Sequence, residues 1–324
     1  MRRIWICALA LCLLVPSLSA AETLGAWQIY WDDTGAPEAR RMGSHLERLV
    51  MFEAMFNWDG SLYIPEETDR MLKRADQVEG RDLYLSVVND IRQENRVSFV
   101  QKSKSFLEVQ LSTRSQMLRH LQTVLSLADR YRVTGIEVDY ENLGSDTKLW
   151  GQYVDFLGLL YQSLKDRGLK LRVCIQWDGP LYVKFPEGPD YVVMCYNLYG
   201  NHSGPGPKAD ATFLREVAQV SRALPGRVIM ALATGGYVWK NGNAQMEIAE
   251  NDAAELASVS GSGKTYRDTS SGAMVAQLKD GRSMWWADAE TLRGWMDILK
   301  KEGYTDFDFF RLGGGSIPQL TGDE

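Results

Sequence analysis

Histidine is scarce in this 324-residue chain: His45, His120 and His202 are the three present, and no two stand at a spacing that would share a metal ion. His45 and His120 fall on helical stretches, where a satisfied surface role is expected, and His202 lies in the loop NHSGPGP, from which it could line a cleft. No serine or cysteine elbow is present, and the glycines Gly313 to Gly315 lack the spacing of a nucleotide fingerprint. No metal and no cofactor is therefore implied. Cysteine is nearly as rare. Cys7 and Cys12 belong to the extreme amino terminus, which leaves Cys174 and Cys195, both inside expected strands. A disulfide needs particular Cα spacing and direction, so buried free thiols are the expectation.

Long apolar runs are also missing. The longest, Ile4 to Val15, is about a dozen residues, short of the roughly 20 that span a bilayer. It follows Arg2 and Arg3 and precedes small residues at Ser19 and Ala21, the pattern of a cleavable export signal covering residues 1–21. The mature protein is expected to begin at Glu22, to be secreted or periplasmic, and not to insert in a membrane. Removing Arg2 and Arg3 takes the formal charge from −6 to −8. A surface of that sign argues against nucleic acid or an anionic membrane as partner. There is no Pro/Ser linker, low-complexity run, charge block or solenoid repeat, so residues 22–324 are expected to form one monomeric unit.

What is present is alternation. Strand-like segments begin near Trp27, Val50, Leu83, Gly135, Leu169, Tyr191, Val228 and Asp306. Between them lie amphipathic stretches such as Arg114 to Tyr131, Leu149 to Arg167, Thr212 to Leu224 and Asp288 to Lys301. Strands alternating with helices in this way predict an α/β fold, a (β/α)8 TIM barrel. Two segments exceed a minimal barrel. Residues 92–112 read as a short hairpin or irregular excursion, and residues 238–283, between strands seven and eight, read as a small α+β insertion. On a βα loop, that insertion would wall the active-site face.

The chemistry concentrates in GIEVDYENL, Gly135 to Leu143. Period-two alternation places Glu137, Asp139 and Glu141 on one strand face, with neighbouring carboxylates starting about 6.6 Å apart. Acids that close raise one another's pKa and can do proton work. The same alternation also suits a surface strand with its acids in water. The loop at Asn142, Gly144 and Ser145 places the acids at a strand's carboxyl end, where a barrel keeps its catalytic side chains. Aromatics gather at the same ends: Trp31, Trp58, Trp177, Tyr199, Trp239 and Phe310. Around one mouth they would form a ring-stacking cleft for sugars.

These residues resemble glycoside hydrolase family 18, the chitinase-like barrels, and most closely its spore-germination and cortex-lytic N-acetylglucosaminidase branch. The family's fourth-strand pattern D-x-x-D-x-D-x-E is similar to TGIEVDYE, which supplies Asp139 and Glu141. VVMCYNLYG is similar to the strand-six motif, and DGSLY, VVND, ALATGGYVW and WWADAETLRGWMDILKKEGYTDFDFFRLGG also fit. The resemblance implies that Glu141 is the general acid and then the base. It implies that Asp139 and Tyr196 hold the substrate's acetamido group. Thr134, Glu137, Asn197 and Phe310 depart from the family's residues, and the last three would touch the sugar.

Chemistry reaches a compatible mechanism from the other side. Two-carboxylate glycosidases flank the scissile bond with acids about 5 to 9.5 Å apart, whereas these acids project from one strand. Attack by the substrate's own acetamido oxygen needs only one acid and a stabilising neighbour, and gives retention of configuration. The expected partner is thus a polysaccharide containing β-linked N-acetylglucosamine, peptidoglycan or chitin-like. A carbohydrate-binding protein that kept the barrel and lost turnover is the alternative, and the presence of Glu141 favours the enzyme.

Overall fold

Short runs of β-branched and aromatic residues alternate with helices started by Thr or Asp caps, and the alternation closes on itself. The computed structural model describes residues 22–74, 80–93, 99–315 and 317–321. The expected export signal lies outside the described residues. The barrel strands are β1 (Thr23–Ile29), β2 (Leu46–Asn57), β3 (Asp82–Arg92), β4 (Gly135–Asp139), β5 (Lys170–Gln176), β6 (Asp190–Met194), β7 (Val228–Ala233) and β8 (Asp306–Phe310). Each pairs in parallel with the next, and β8 pairs with β1 through Thr23 and Asp306, so no edge is left open. This is the (β/α)8 barrel the alternation predicts.

Helices Arg114–Arg130, Thr147–Lys165, Ala211–Ser221 and Ala289–Lys301 form part of the outer ring. Thr113, Asp146, Asp210 and Asp288 cap them, each side chain accepting a backbone N–H of the first turn. After β5 the ring is thin, with only a 3-10 turn at Gly179–Leu181. Their apolar faces and the outward residues of the strands, Ile136 and Val138 among them, form the main core. His120 belongs to it. Expected at the surface, it is buried because its helix packs onto β4, where its Nε2 shares a 2.8 Å hydrogen bond with Tyr140 Oη.

The barrel's interior is partly ionic, and that corrects the surface-strand reading of β4. Glu137 is fully buried, with Arg172 Nη2 2.8 Å from its Oε2 and Trp27 Nε1 donating to its Oε1 at 2.6 Å. Arg172 also pairs with Asp308, which receives Arg48 Nη2 at 2.9 Å. Gly25 on β1 makes room for this chain of charges, since a Cβ there would collide with the Asp308 carboxylate and Arg48. Cys174 and Cys195, both free, are buried on β5 and just past β6, and burial pushes both thiols up.

Both excursions go beyond what the sequence pattern marks, and residues 94–98 of the first lie outside the described residues. Ile91 and Arg92 pair antiparallel with Val100 and Phe99, and helix Lys104–Gln110 follows, capped by Ser103. The later insertion is a five-stranded antiparallel sheet packed on helix Glu250–Ser260, and its sheet runs from Gly235 to Ala287, wider than the sequence pattern marks.

Candidate active site

Asp139 ends β4 and Glu141 follows two residues later, so both reach a cleft of about 530 Å3 at the carboxyl ends of the strands. Asn89 of β3, itself fully buried, fixes the turn between them and the loop. Its Oδ1 accepts the Glu141 backbone N–H at 3.0 Å and its Nδ2 donates to the Glu141 carbonyl at 3.0 Å. Glu141 is therefore held at its main chain, and its side chain is placed by what it meets in the cleft. Lys102 Nζ lies 2.6 Å from Glu141 Oε1. Among the described residues, Glu141 Oε2 and Asp139 Oδ1 are buried without a hydrogen-bond partner. Buried polar atoms normally find one, and two orphans side by side mark a place where a ligand's polar groups would go.

Burial first, and the Glu141 carboxylate second, hold the Asp139 carboxyl well above its usual value. The protonated form of Asp139, which can donate a hydrogen bond, is favoured accordingly. Burial likewise lifts the Tyr196 phenol, so it remains a donor.

The floor of the cleft is aromatic. Tyr196 stacks on Phe310 with ring centroids 6.2 Å apart, and Phe310 meets Phe52 at 5.6 Å and Trp27 at 6.0 Å. Trp31, 52% exposed, stands against Phe52. Trp177, Asn197, Tyr199 and His202 also line the cleft. The insertion walls one side with Tyr237 and Glu247. Lys208 braces that wall, donating to the Thr234 carbonyl at 3.0 Å and pairing with Glu247 at 3.1 Å.

Three residues expected to contact sugar are placed elsewhere. Glu137 lies one layer below the acids and is consumed by Arg172 and Trp27, away from the cleft lining. Trp58, 50% exposed, sits in the turn that folds β2 back into a hairpin, where Asn57 N donates to the Ser61 carbonyl, and this carries it off the mouth. Trp239 is only 1% exposed, covered by the loop after β6, whose Ser203 carbonyl receives its Nε1 at 3.2 Å.

The cleft also holds groups to which the sequence assigns no role: Glu53 of β2, Asp90 of β3 and Lys102. Burial, then Asp90, pushes Glu53 well above the usual carboxylate range. Burial raises Asp90 as well, although its Oδ1 accepts the Lys102 backbone N–H at 2.8 Å. A standing nucleophile must be ionised, and burial works against that for both.

No family model matches the chain, and no curated protein does. Its fold, however, is similar to several solved structures. The spore cortex-lytic enzyme SleL of Bacillus cereus aligns with a TM-score of 0.74 at 18% identity, over 93% of this chain and 73% of that one. A chitinase of Chromobacterium violaceum aligns with a TM-score of 0.75 at 14% identity, over 94% of this chain and 100% of that one. A class V chitinase variant of Nicotiana tobaccum, solved in complex with NAG4, aligns with a TM-score of 0.73 at 12% identity, over 93% and 97% of the two chains.

Proposed function

We propose that this chain, which has the barrel of the chitinases and cortex-lytic enzymes, is an exported glycosidase acting on β-linked N-acetylglucosamine in a polysaccharide of peptidoglycan or chitin type. The observation that carries this is the pairing of Asp139, whose carboxyl burial raises, with Glu141 just past the end of one strand, each with a buried, unpartnered oxygen in an aromatic cleft. Glu141 protonates the glycosidic oxygen, and the substrate's acetamido oxygen attacks the anomeric carbon. Asp139 and Tyr196 hold that acetamido group and steady the charged ring that forms. Glu141 then takes a proton from a water whose oxygen bonds C1 as the bond from C1 to the acetamido oxygen breaks, and the sugar is released with retention. Burial disfavours the charged forms of Glu53 and Asp90, which argues against either as the opposed nucleophile.

The test is a comparison of polymers. Purified protein is incubated with chitin oligomers, with peptidoglycan and with fully deacetylated chitin, and products are read by mass. Cleavage of acetylated substrate with an inert deacetylated polymer is expected, together with tight binding of a thiazoline mimic of the cyclised intermediate. Rapid cleavage of the deacetylated polymer excludes substrate assistance.

A further inference from the structure

Lys102 is held at the acid more firmly than a surface lysine would need to be. Its backbone is in the left-handed region at φ 50°, a conformation that costs a non-glycine residue about 1 to 2 kcal/mol unless its surroundings fix it. They do. The Lys102 N–H donates to Asp90 Oδ1 at 2.8 Å, its carbonyl accepts Asn142 Nδ2 at 3.1 Å, and Ser103 N donates to the Asn89 carbonyl at 3.0 Å. Asn89 is the same residue that brackets the Glu141 main chain. One buried residue, through its side-chain amide and its backbone carbonyl, thus ties the loop carrying Lys102 to the loop carrying Glu141, and Nζ meets Oε1 at 2.6 Å.

We propose that Lys102 is a positioning residue for the reaction: it anchors Oε1 of Glu141 and stabilises the negative charge that appears on this carboxyl as its proton passes to the leaving oxygen. The inference rests on the function proposed above. In the first step the bond from C1 to the glycosidic oxygen breaks and its electron pair stays with that oxygen, which takes the proton of Glu141. The acetamido oxygen forms the new bond to C1. Glu141, which pairs with Lys102 as an anion in the free protein, enters this step after taking up a proton and leaves it anionic again, and the Lys102 ammonium transfers nothing. Its charge is placed where charge develops, the arrangement that lowers a barrier most efficiently. The groups facing Glu141 are Asp139 on its own strand, Asp90 on β3, Tyr196 after β6 and Lys102, and Lys102 is the one cation of this set. Burial works to lower the Lys102 ammonium, but Glu141, Asp139 and Asp90 together outweigh this and raise it, so the cation persists.

The test separates leaving groups. Lys102→Met and Lys102→Arg are compared with the parent on an N-acetylglucosamine oligomer, whose leaving oxygen needs a proton, and on the dinitrophenyl N-acetyl-β-glucosaminide, whose leaving group does not. Lys102→Met is expected to lower kcat on the oligomer roughly 10- to 100-fold with KM nearly unchanged, and to leave the first release of dinitrophenol within about twofold. Lys102→Arg restores most of the loss. The basic limb of the kcat/KM profile moves to higher pH in Lys102→Met, because the cation that favours the charged form of Asp139 is gone. Equal loss on both substrates, a change confined to KM, or no change overturns the assignment. Glu141→Gln is the control: if it also fails to distinguish the two substrates, the proposed function falls with it, and if it distinguishes them while Lys102→Met does not, only the role of Lys102 falls.

Discussion

Replacing Glu141 by Gln removes a group that can carry either a proton or a charge while keeping the shape of the side chain, so its consequences can be worked out term by term. A lost general acid typically costs 10² to 10⁴ in rate, which is about 3 to 5 kcal/mol of transition-state stabilisation. Affinity should be spared, because the aromatic floor of Trp27, Phe52, Tyr196 and Phe310 is untouched. Stability should change little. The variant gives up the ion pair with Lys102, whose side chain is half exposed, so that loss is at most about 1 kcal/mol. It also relieves the repulsion that Glu141 exerts on Asp139, a gain of opposite sign. Steady-state kinetics on acetylated oligomers, calorimetric titration with the same oligomers and thermal unfolding measure the three effects separately. Full activity in Glu141→Gln refutes the proton-donor assignment, and loss of binding in step with loss of rate refutes the claim that the residue acts mainly in the transition state.

Asp139→Asn should raise the melting temperature while it lowers activity. A carboxyl whose pKa is raised on folding contributes stability that is fully present below the ordinary value near 4 and is lost as pH rises through the folded value, so the variant gains more at pH 7 than at pH 4; an equal gain at both would contradict the raised carboxyl. Arg172→Met leaves Glu137 and Asp308 buried with a cation removed between them, a loss of about 3 to 5 kcal/mol and on the order of 10 °C in melting temperature. An unchanged melting curve would show that the interior charges do not hold the barrel. Phe310→Trp enlarges the ring stacked on Tyr196 and should tighten binding of acetylated oligomers by up to about 1 kcal/mol, read by titration; abolished binding would mean that Phe310 does not face the sugar.

The barrel was legible because its cause is local. A strand announces itself by β-branched and aromatic residues, a helix by apolar spacing and a Thr or Asp cap, and eight repetitions leave few ways to bury every apolar face. The starts near Trp27, Val50, Leu83, Gly135, Tyr191, Val228 and Asp306 fall at or within barrel strands, and Leu169 immediately precedes one. Where the ring thins after β5, Gly179 and Pro180 had already broken the helical pattern. The insertion's edges were blurred for a related reason: Gly235 and Gly236 open its sheet directly from the end of β7, with only Thr234 between, and a strand that continues into another strand carries no boundary in its composition.

The site was legible only along one strand. Period-two alternation correctly put Glu137, Asp139 and Glu141 on a common face, but it cannot say what stands opposite each residue. Opposite Glu137 stand Arg172 and Trp27, brought there by barrel closure across 35 and 110 residues of chain, and they turn an expected sugar contact into an internal ion pair. Opposite Glu141 stands Lys102, from an irregular excursion with no periodicity to read. A feature was nonetheless available. Lys102 precedes a serine that caps a helix, and Asn89 and Asp90 of the VVND stretch are the residues that hold Lys102, Ser103 and Glu141 in place. The resemblance had singled out VVND as a strand; its two polar residues at a carboxyl end are a joint between loops. An acid at the end of a barrel strand is therefore best read together with the polar residues that end the strand beside it. Those neighbours determine which charge the acid will meet.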